Sequence, residues 1–462
     1  MPLPSEFVER LRAIVGAEHV RTDPSTRATY GADALKRGHD ADVVVTPDGA
    51  DHISAILALC TAHRIPLVPR GGGTGYTGGS VPVQGGVVLS LERMNRILEI
   101  DEQNLLAIVE PNAITGTIQD AVERVGLFYP PDPASLRMSV IGGNDAECAG
   151  GPRAFKYGTT KQYVLGLQAV LPNGDIIETG GKTVKNVVGY DLTHLLVGSE
   201  GTLAVITRII LRLVPRPPVQ STLRATFATI AEATQAVNNV IKARVTPAAL
   251  ELIDGDSLEA VARYLNVRSL APAGTGALLL LEVDGLAEAV GEEAARCEQA
   301  CREAGATEIL RGRDEAERQE IWRVRRELSL ALKTITPIKF NHDIVVPKGR
   351  IPQLFEFVER LKRDYRLRIP CFGHAGDGNI HVNIMVSPGD EDEMRRAREA
   401  ERVLFEGVVA LEGSISGEHG IGFVKAKYLA IELDPPTIAI MKAVKRAFDP
   451  HNILNPGKIF PD

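Results

Sequence analysis

Leu67-Val68-Pro69-Arg70-Gly71-Gly72-Gly73-Thr74-Gly75-Tyr76-Thr77-Gly78-Gly79-Ser80 sets so much glycine behind an apolar run that it implies backbone held against a ligand. Gly73, Gly75 and Gly78 satisfy G-x-G-x-x-G, but the dinucleotide fingerprint needs a helix next, so that its N-terminus can meet the pyrophosphate. Val81-Pro82-Val83-Gln84-Gly85-Gly86 cannot start one, and Val87-Val88-Leu89-Ser90-Leu91 reads as a strand. The stretch therefore reads as strand, glycine loop, strand: a phosphate cradle of successive N–H groups in a nest, which needs no helix dipole. A glycine-rich surface turn is the bland alternative.

At 462 residues the chain is too long for one ordinary core, so two domains are expected. An apolar share of 44% with 24% charged residues describes an ordinary soluble protein, and a formal charge of −7 argues against a nucleic-acid surface. The N-terminal residues lack the basic start and apolar core of a secretory signal, and no apolar run approaches membrane-spanning length, so the expectation is a cytoplasmic protein. Cys60, Cys148, Cys297, Cys301 and Cys371 are odd in number and scattered, unlike a disulfide framework or a zinc ribbon. Cys297 and Cys301 share a face of a helix expected over 292–305 and read as packing.

Periodicity predicts helices over 4–15, 51–63 and 114–125, with strands over 42–46 and 105–111. Glycine and proline gather again at 129–133, 141–144, 149–152 and 197–202, loops that suggest one long ligand touched from several sides. Asn173-Gly174 marks a tight hairpin. The cluster Val214-Pro215-Arg216-Pro217-Pro218 is the best domain boundary. Beyond it, a strand over 222–227 and a helix over 230–243 recur as 276–283 and 287–304, suggesting an antiparallel sheet with helices on one face. The turn-rich end, 448–459, is expected to return to the first domain.

The second half carries Gly373-His374-Ala375-Gly376-Asp377-Gly378-Asn379-Ile380-His381-Val382-Asn383, two imidazoles flanking a glycine turn. Residues 380–385 alternate like a strand, which puts His381 and Asn383 on one face. Further on, Ser416-Gly417-Glu418-His419-Gly420 boxes another polar pair in glycine. Two His and one Glu suit zinc or a similar divalent ion with a position open for substrate, against the plainer reading of hydrogen-bonded loop residues.

Seven ordered motifs, the loop 69–80, Pro131-Asp132-Pro133, Gly142-Gly143-Asn144, Gly198-Ser199-Glu200-Gly201-Thr202-Leu203, 374–383, 417–420 and Asn455-Pro456-Gly457-Lys458, resemble the FAD-linked 2-hydroxyacid dehydrogenases. That family includes glycolate oxidase flavoprotein subunits, D-lactate dehydrogenases and D-2-hydroxyglutarate dehydrogenases, within the vanillyl-alcohol oxidase superfamily. The resemblance implies an α+β fold: an FAD domain of two subdomains over 1–215, a cap domain over 216–420, and a returning segment over 421–462. It implies that Pro69, Arg70, Gly71, Gly72, Gly73, Thr74, Gly75, Gly78, Gly79 and Ser80 hold the pyrophosphate side of FAD. Pro131, Ser135, Gly142, Asn144, Gly198, Gly201, Val205 and Asn455 would line the rest of the cofactor.

The same resemblance assigns His374, His381 and Glu418 to a divalent metal, zinc or manganese, and makes His419 the base, with Asn383 beside them. Arg325, in Ile321-Trp322-Arg323-Val324-Arg325-Arg326-Glu327, falls where the family supplies a cation for the substrate carboxylate, with Lys339 a helper; a solvated helix face is the plain reading for both. Thr74 follows the glycine triplet and no His or Cys stands in the loop, so FAD is expected to be noncovalent. The activity implied is oxidation of a D-2-hydroxy acid, with electrons passed to a quinone, an electron-transfer protein or a partner subunit. A homodimer, and attachment to the inner membrane through the acceptor, are compatible with it. The competing readings are an ether-lipid synthase of the same superfamily and a noncatalytic flavin-carrying electron-transfer subunit.

Overall fold

A computed structural model describes residues 3–267 and 274–461; Met1 and Pro2, which begin the segment read for a leader, lie outside the described residues. The chain forms two compact units. One comprises the residues up to Gly150, Thr159–Arg216 and the chain from Glu418 onward, and the other Gly151–Gly158 and Pro217–Gly417. The second unit ends at Gly417, where 420 was expected, and takes in the short piece Gly151–Gly158 of the first half, which was expected in the FAD domain.

The first unit holds a four-stranded sheet in the order Val20–Arg21, Val43–Val45, Val87–Ser90, Leu67–Arg70. Its last three strands are parallel. Helices Ser5–Val15 and Ala50–His63 bury Phe7, Leu11, Ile53, Ile56 and Leu57 against Val43, Val45, Leu67, Val87 and Leu89, a 3.6-residue stripe meeting an apolar sheet face. Because Leu67–Arg70 and Val87–Ser90 run parallel, residues 71–86 must cross from the carboxyl end of one to the start of the other. The glycine loop therefore leaves from a carboxyl edge, where open α/β sheets place ligands. Leu454 bridges Leu67, with the Leu67 amide donating to the Ile453 carbonyl at 2.9 Å, so the C-terminal segment packs into this same unit.

A five-stranded antiparallel sheet follows, in the order Ile97–Asp101, Leu106–Val109, Val205–Arg212, Val164–Val170, Ile176–Gly180. Asn173-Gly174 closes its hairpin, with Gly174 at φ +94°. One expectation fails here: 141–144 is not a loop but the start of the helix Ile141–Glu147. Its glycines serve close packing, since a Cβ on Gly142 would lie 2.7 Å from the Pro111 Cβ.

The second unit is built on a wholly antiparallel seven-stranded sheet, ordered Glu308–Arg311, Val219–Phe227, Ala277–Gly285, Ala249–Asp254, Cys371–His374, Asn379–Val386, Ile338–Val345. Helices lie on both faces, not one. Gly255–Leu265 and Glu315–Lys333 cover Ile253, Leu278, Leu280, Phe372 and Met385. The alternate residues Leu252, Leu279, Leu281, Val382 and Ile384 are equally buried and need a second layer, which Ile230–Lys242, Ala287–Glu303, Ile351–Tyr365 and Glu391–Ala410 supply. Cys297 and Cys301 are buried on Ala287–Glu303, as their spacing suggests. Among the described residues no helix is long and apolar enough to cross a membrane.

Candidate functional site

In the first unit Arg70 ends its strand and folds back: its guanidinium donates to the carbonyls of Tyr30 at 3.1 Å and Ala32 at 2.7 Å, and stacks over the Tyr30 ring. A Cβ on Gly73 would fall 2.2 Å from the guanidinium, so Arg70 braces the loop from within. Gly73 and Gly78 sit at φ +64° and +79°, which glycine adopts without strain. Gly78 donates its amide to Asp33 Oδ2 at 2.9 Å, and Ser80 Oγ lies 3.5 Å from Arg70. Among the described residues the amides of Gly72, Gly73, Thr74, Gly75 and Tyr76 have no hydrogen bond to the protein's own backbone. A run of unspent amides around the left-handed turn at Gly73 is what a pyrophosphate requires.

Gly71 and Gly72 lie against the next motif, a Cβ on them meeting Val140 Cγ2 at 2.6 Å and the Met138 carbonyl at 2.9 Å. Ser139 there has a buried hydroxyl without a partner among the described residues. The Ser135 carbonyl accepts from Met138 and Ser139, the Pro131 carbonyl from Gln119 Nε2 at 2.9 Å, and Asn144 donates to Thr115 at 2.7 Å. Gly198 donates to the Asp145 carbonyl, Gly201 packs on Pro69, and Val205 is buried at the start of its strand. Asn455, at φ +45°, donates to the carbonyls of Gly79 at 2.8 Å and Glu200 at 2.7 Å and so ties the two glycine loops together. The expected cofactor residues thus gather in one unit, and the unspent amides of 72–76 and the orphaned hydroxyl of Ser139, which was not among those expected, fit a dinucleotide.

Glu200 organises the segment after His419. Its carboxylate accepts the amides of Ile421 and Gly422, both at 2.7 Å, while Thr77 Oγ1 donates to the His419 carbonyl at 3.0 Å. The His419 ring lies 5.6 Å from that of Tyr76, and its Nε2 is 3.9 Å from Glu418 Oε1. Burial raises the pKa of Glu147 and Glu200, and the Glu200 charge raises that of Glu147 further. Lys458, donating to the Val81 carbonyl at 2.6 Å, is pushed down by burial to about 8.

In the second unit, strand register puts the remaining residues on one sheet face. Glu251 pairs with His374, Phe372 and Asp343 each with His381, Asn341 with Asn383, and Lys339 with Met385. His374 Nδ1 is 2.6 Å from Glu251 Oε1, and Arg325 Nε donates to Glu251 Oε2 while its guanidinium stacks 4.9 Å above Phe372. Burial would raise the Glu251 carboxyl, but the charges of His374 and Arg325 outweigh it and hold the pKa below the usual range. The two imidazoles stand 5.5 Å apart, nearly perpendicular.

Asp343 accepts from Asn379 Nδ2 at 2.7 Å and from the Gly417 amide at 2.9 Å, and lies 4.0 Å from His381 Nδ1. Glu418 is the next residue after Gly417. Asn341 and Asn383 keep buried amide oxygens without partners among the described residues. Lys339 Nζ meets Ser329 Oγ at 3.1 Å, and burial, then Lys333, pushes its pKa down to about 8. Imidazole and carboxylate donors on one face, with cations nearby, suit a divalent metal and an anionic oxygen ligand.

Of the residues singled out in the sequence, His374, His381, Asn383, Arg325 and Lys339 share this unit, and Glu418 and His419 begin the next stretch of the first. Sequence reasoning missed Asp343, Asn341 and Glu251. The one available signal was Glu251 itself, a lone acid in the apolar run Ala248–Ile253.

Residues 216–459 match the model described as FAD linked oxidases, C-terminal domain, and residues 41–180 match an FAD binding domain. The chain is 43% identical over 453 residues to the glycolate oxidase subunit GlcD of Bacillus subtilis, covering 98% of this chain and 96% of that one. It is 39% identical to a D-lactate dehydrogenase of Archaeoglobus fulgidus (90% and 91% covered) and 33% identical to a D-2-hydroxyglutarate dehydrogenase of Stutzerimonas stutzeri (98% of each). Among solved structures, p-cresol methylhydroxylase superposes with a TM-score of 0.83 at 18% identity, covering 99% of this chain and 96% of that one, a likeness of fold.

Proposed function

The chain belongs to the FAD-linked oxidase family, and we propose that it oxidises a D-2-hydroxy acid to the 2-oxo acid with noncovalent FAD and a divalent metal, zinc or manganese. The observation that carries the metal and the acid substrate is the polar sheet face of the second unit, where His374, His381 and Asp343 stand beside Arg325 and Lys339. Glu418 and His419, the next residues after Gly417 in the chain, are the remaining ligand and the base of this reading. The ether-lipid synthase and electron-carrier readings give way to relatives that share nearly the whole chain and are named as hydroxy-acid enzymes.

In this reading Arg325 and Lys339 take the substrate carboxylate, and His374 and His381 hold the metal with Glu418. His419 accepts the hydroxyl proton as the Cα–H leaves as hydride, so that two electrons and two protons leave the substrate. When bound, FAD supplies the hydride acceptor and the metal the Lewis acidity that lowers the hydroxyl pKa. The amides of 72–76 bind and orient the pyrophosphate. Electrons then pass to an acceptor outside this chain.

Anaerobic mixing with paired D- and L-hydroxy acids tests the reading directly. Achiral glycolate or the D isomers of lactate-sized to hydroxyglutarate-sized acids are expected to bleach the flavin, and His419→Asn to slow that bleaching by about 10²–10⁴-fold, the usual worth of a general base. Equal bleaching by both isomers, or wild-type rates in His419→Asn, overturns the stereochemical or the base assignment respectively.

A further inference from the structure

Glu251 stands in the middle of the apolar strand Ala249–Asp254, where its side chain is wholly buried; the strand's other acid, Asp254, ends it and caps the next helix. The two oxygens of Glu251 are divided: one meets His374 Nδ1 at 2.6 Å, the other accepts a hydrogen bond from Arg325 Nε. Stability gives a poor account of such an arrangement, because buried ionic triads are often replaced by apolar groups without loss. Geometry gives a better one. A carboxylate on Nδ1 fixes the imidazole tautomer and turns Nε2 outward as the coordinating nitrogen. Holding Nε of a planar guanidinium also fixes the direction of its remaining N–H edge, which is further clamped over Phe372, the strand partner of His381.

We infer that Glu251 is a positioning residue that sets, through one carboxylate, both the metal-facing nitrogen of His374 and the anion-facing edge of Arg325. This rests on the proposed roles of His374 and Arg325. One carboxylate thereby braces the metal subsite through one oxygen and the substrate-carboxylate subsite through the other. Glu282 supplies the control, being a buried acid on the same sheet face that accepts instead from Thr222 at 2.8 Å and Trp322 at 2.7 Å.

The experiment measures zinc and manganese affinity of the FAD-loaded protein by competition with a chromophoric chelator, alongside KM for the D-hydroxy acid. Glu251→Gln is expected to weaken metal binding by about 10–100-fold, the usual effect of losing such an outer partner, and to raise KM. Glu282→Gln should leave metal affinity at the wild-type value, and Arg325→Met should raise KM while leaving metal affinity unchanged. If Glu251→Gln fails to fold because Arg325 is left buried without a counter-charge, the double variant Glu251→Gln/Arg325→Met removes that charge and is expected to show the same loss of metal. Wild-type metal affinity in the variant that folds, together with loss of metal in His374→Ala, overturns the positioning role alone. Wild-type affinity in His374→Ala overturns the metal reading of His374 itself.

Discussion

Asp145 shows how much a single buried group can reveal. It is wholly buried, neither of its oxygens has a partner among the described residues, and burial pushes its pKa from 3.8 up to about 8. A carboxyl whose folded pKa lies above its unfolded value holds its proton more tightly when folded. The stability it permits is complete below about pH 4 and is lost as pH rises through about 8. Asp145→Asn removes the titration and keeps the shape. Its Tm should match the wild type near pH 4 and exceed it by several degrees at pH 9. A Tm difference that stays flat across this range would mean that the carboxyl is not the group that titrates. At this scale the sequence was uneven. The imidazoles were visible because glycine framed them, whereas Glu251 takes its meaning from His374, 123 residues away, through a strand pairing that no local pattern announces.

At the scale of elements, the glycine loop was legible because its composition admits few conformations. Gly78 shows why, since it combines φ +79° with a Cβ position 2.0 Å from the Phe423 ring. Gly126 shares the backbone conformation, at φ +76°, but a Cβ there meets nothing within 4 Å. Gly126→Ala should therefore cost only the backbone strain, about 1–2 kcal/mol. Gly78→Ala adds a displaced ring and a disturbed loop, and should release most of the FAD, read as the ratio of flavin to protein absorbance. Equal flavin retention in the two variants would show that the loop does not depend on this contact. The strand Ala249–Asp254 and the helix Gly255–Leu265 escaped sequence reading for the opposite reason. The strand is buried on both faces, so it lacks the alternation that marks a half-exposed one, and its short apolar run resembles a fragment of helix. The expected single layer of helices failed on the same point: continuous apolar strands need cover on both sides.

For the whole molecule, the chemistry is divided along the chain. The loops expected to hold FAD belong to the first unit, while His374, His381 and Arg325 belong to the second. Each unit has its own sheets, so damage to the polar sheet face of the second should not propagate to the glycine loop of the first. His381→Ala should keep a wild-type flavin spectrum and flavin-to-protein ratio, lose most bound metal by elemental analysis, and lose bleaching by the D-hydroxy acid. Acid precipitation of both proteins should release the yellow colour to the supernatant, because no His or Cys stands among Thr74 and its neighbours to form a covalent bond. The two readouts separate the assignments. Colour kept in the pellet contradicts noncovalent FAD whatever the metal does, and full bleaching by metal-free His381→Ala removes the metal from the chemistry whatever the flavin does. Simultaneous loss of flavin and metal in His381→Ala would mean that the two units do not fold around their cofactors independently, which their separate cores argue against.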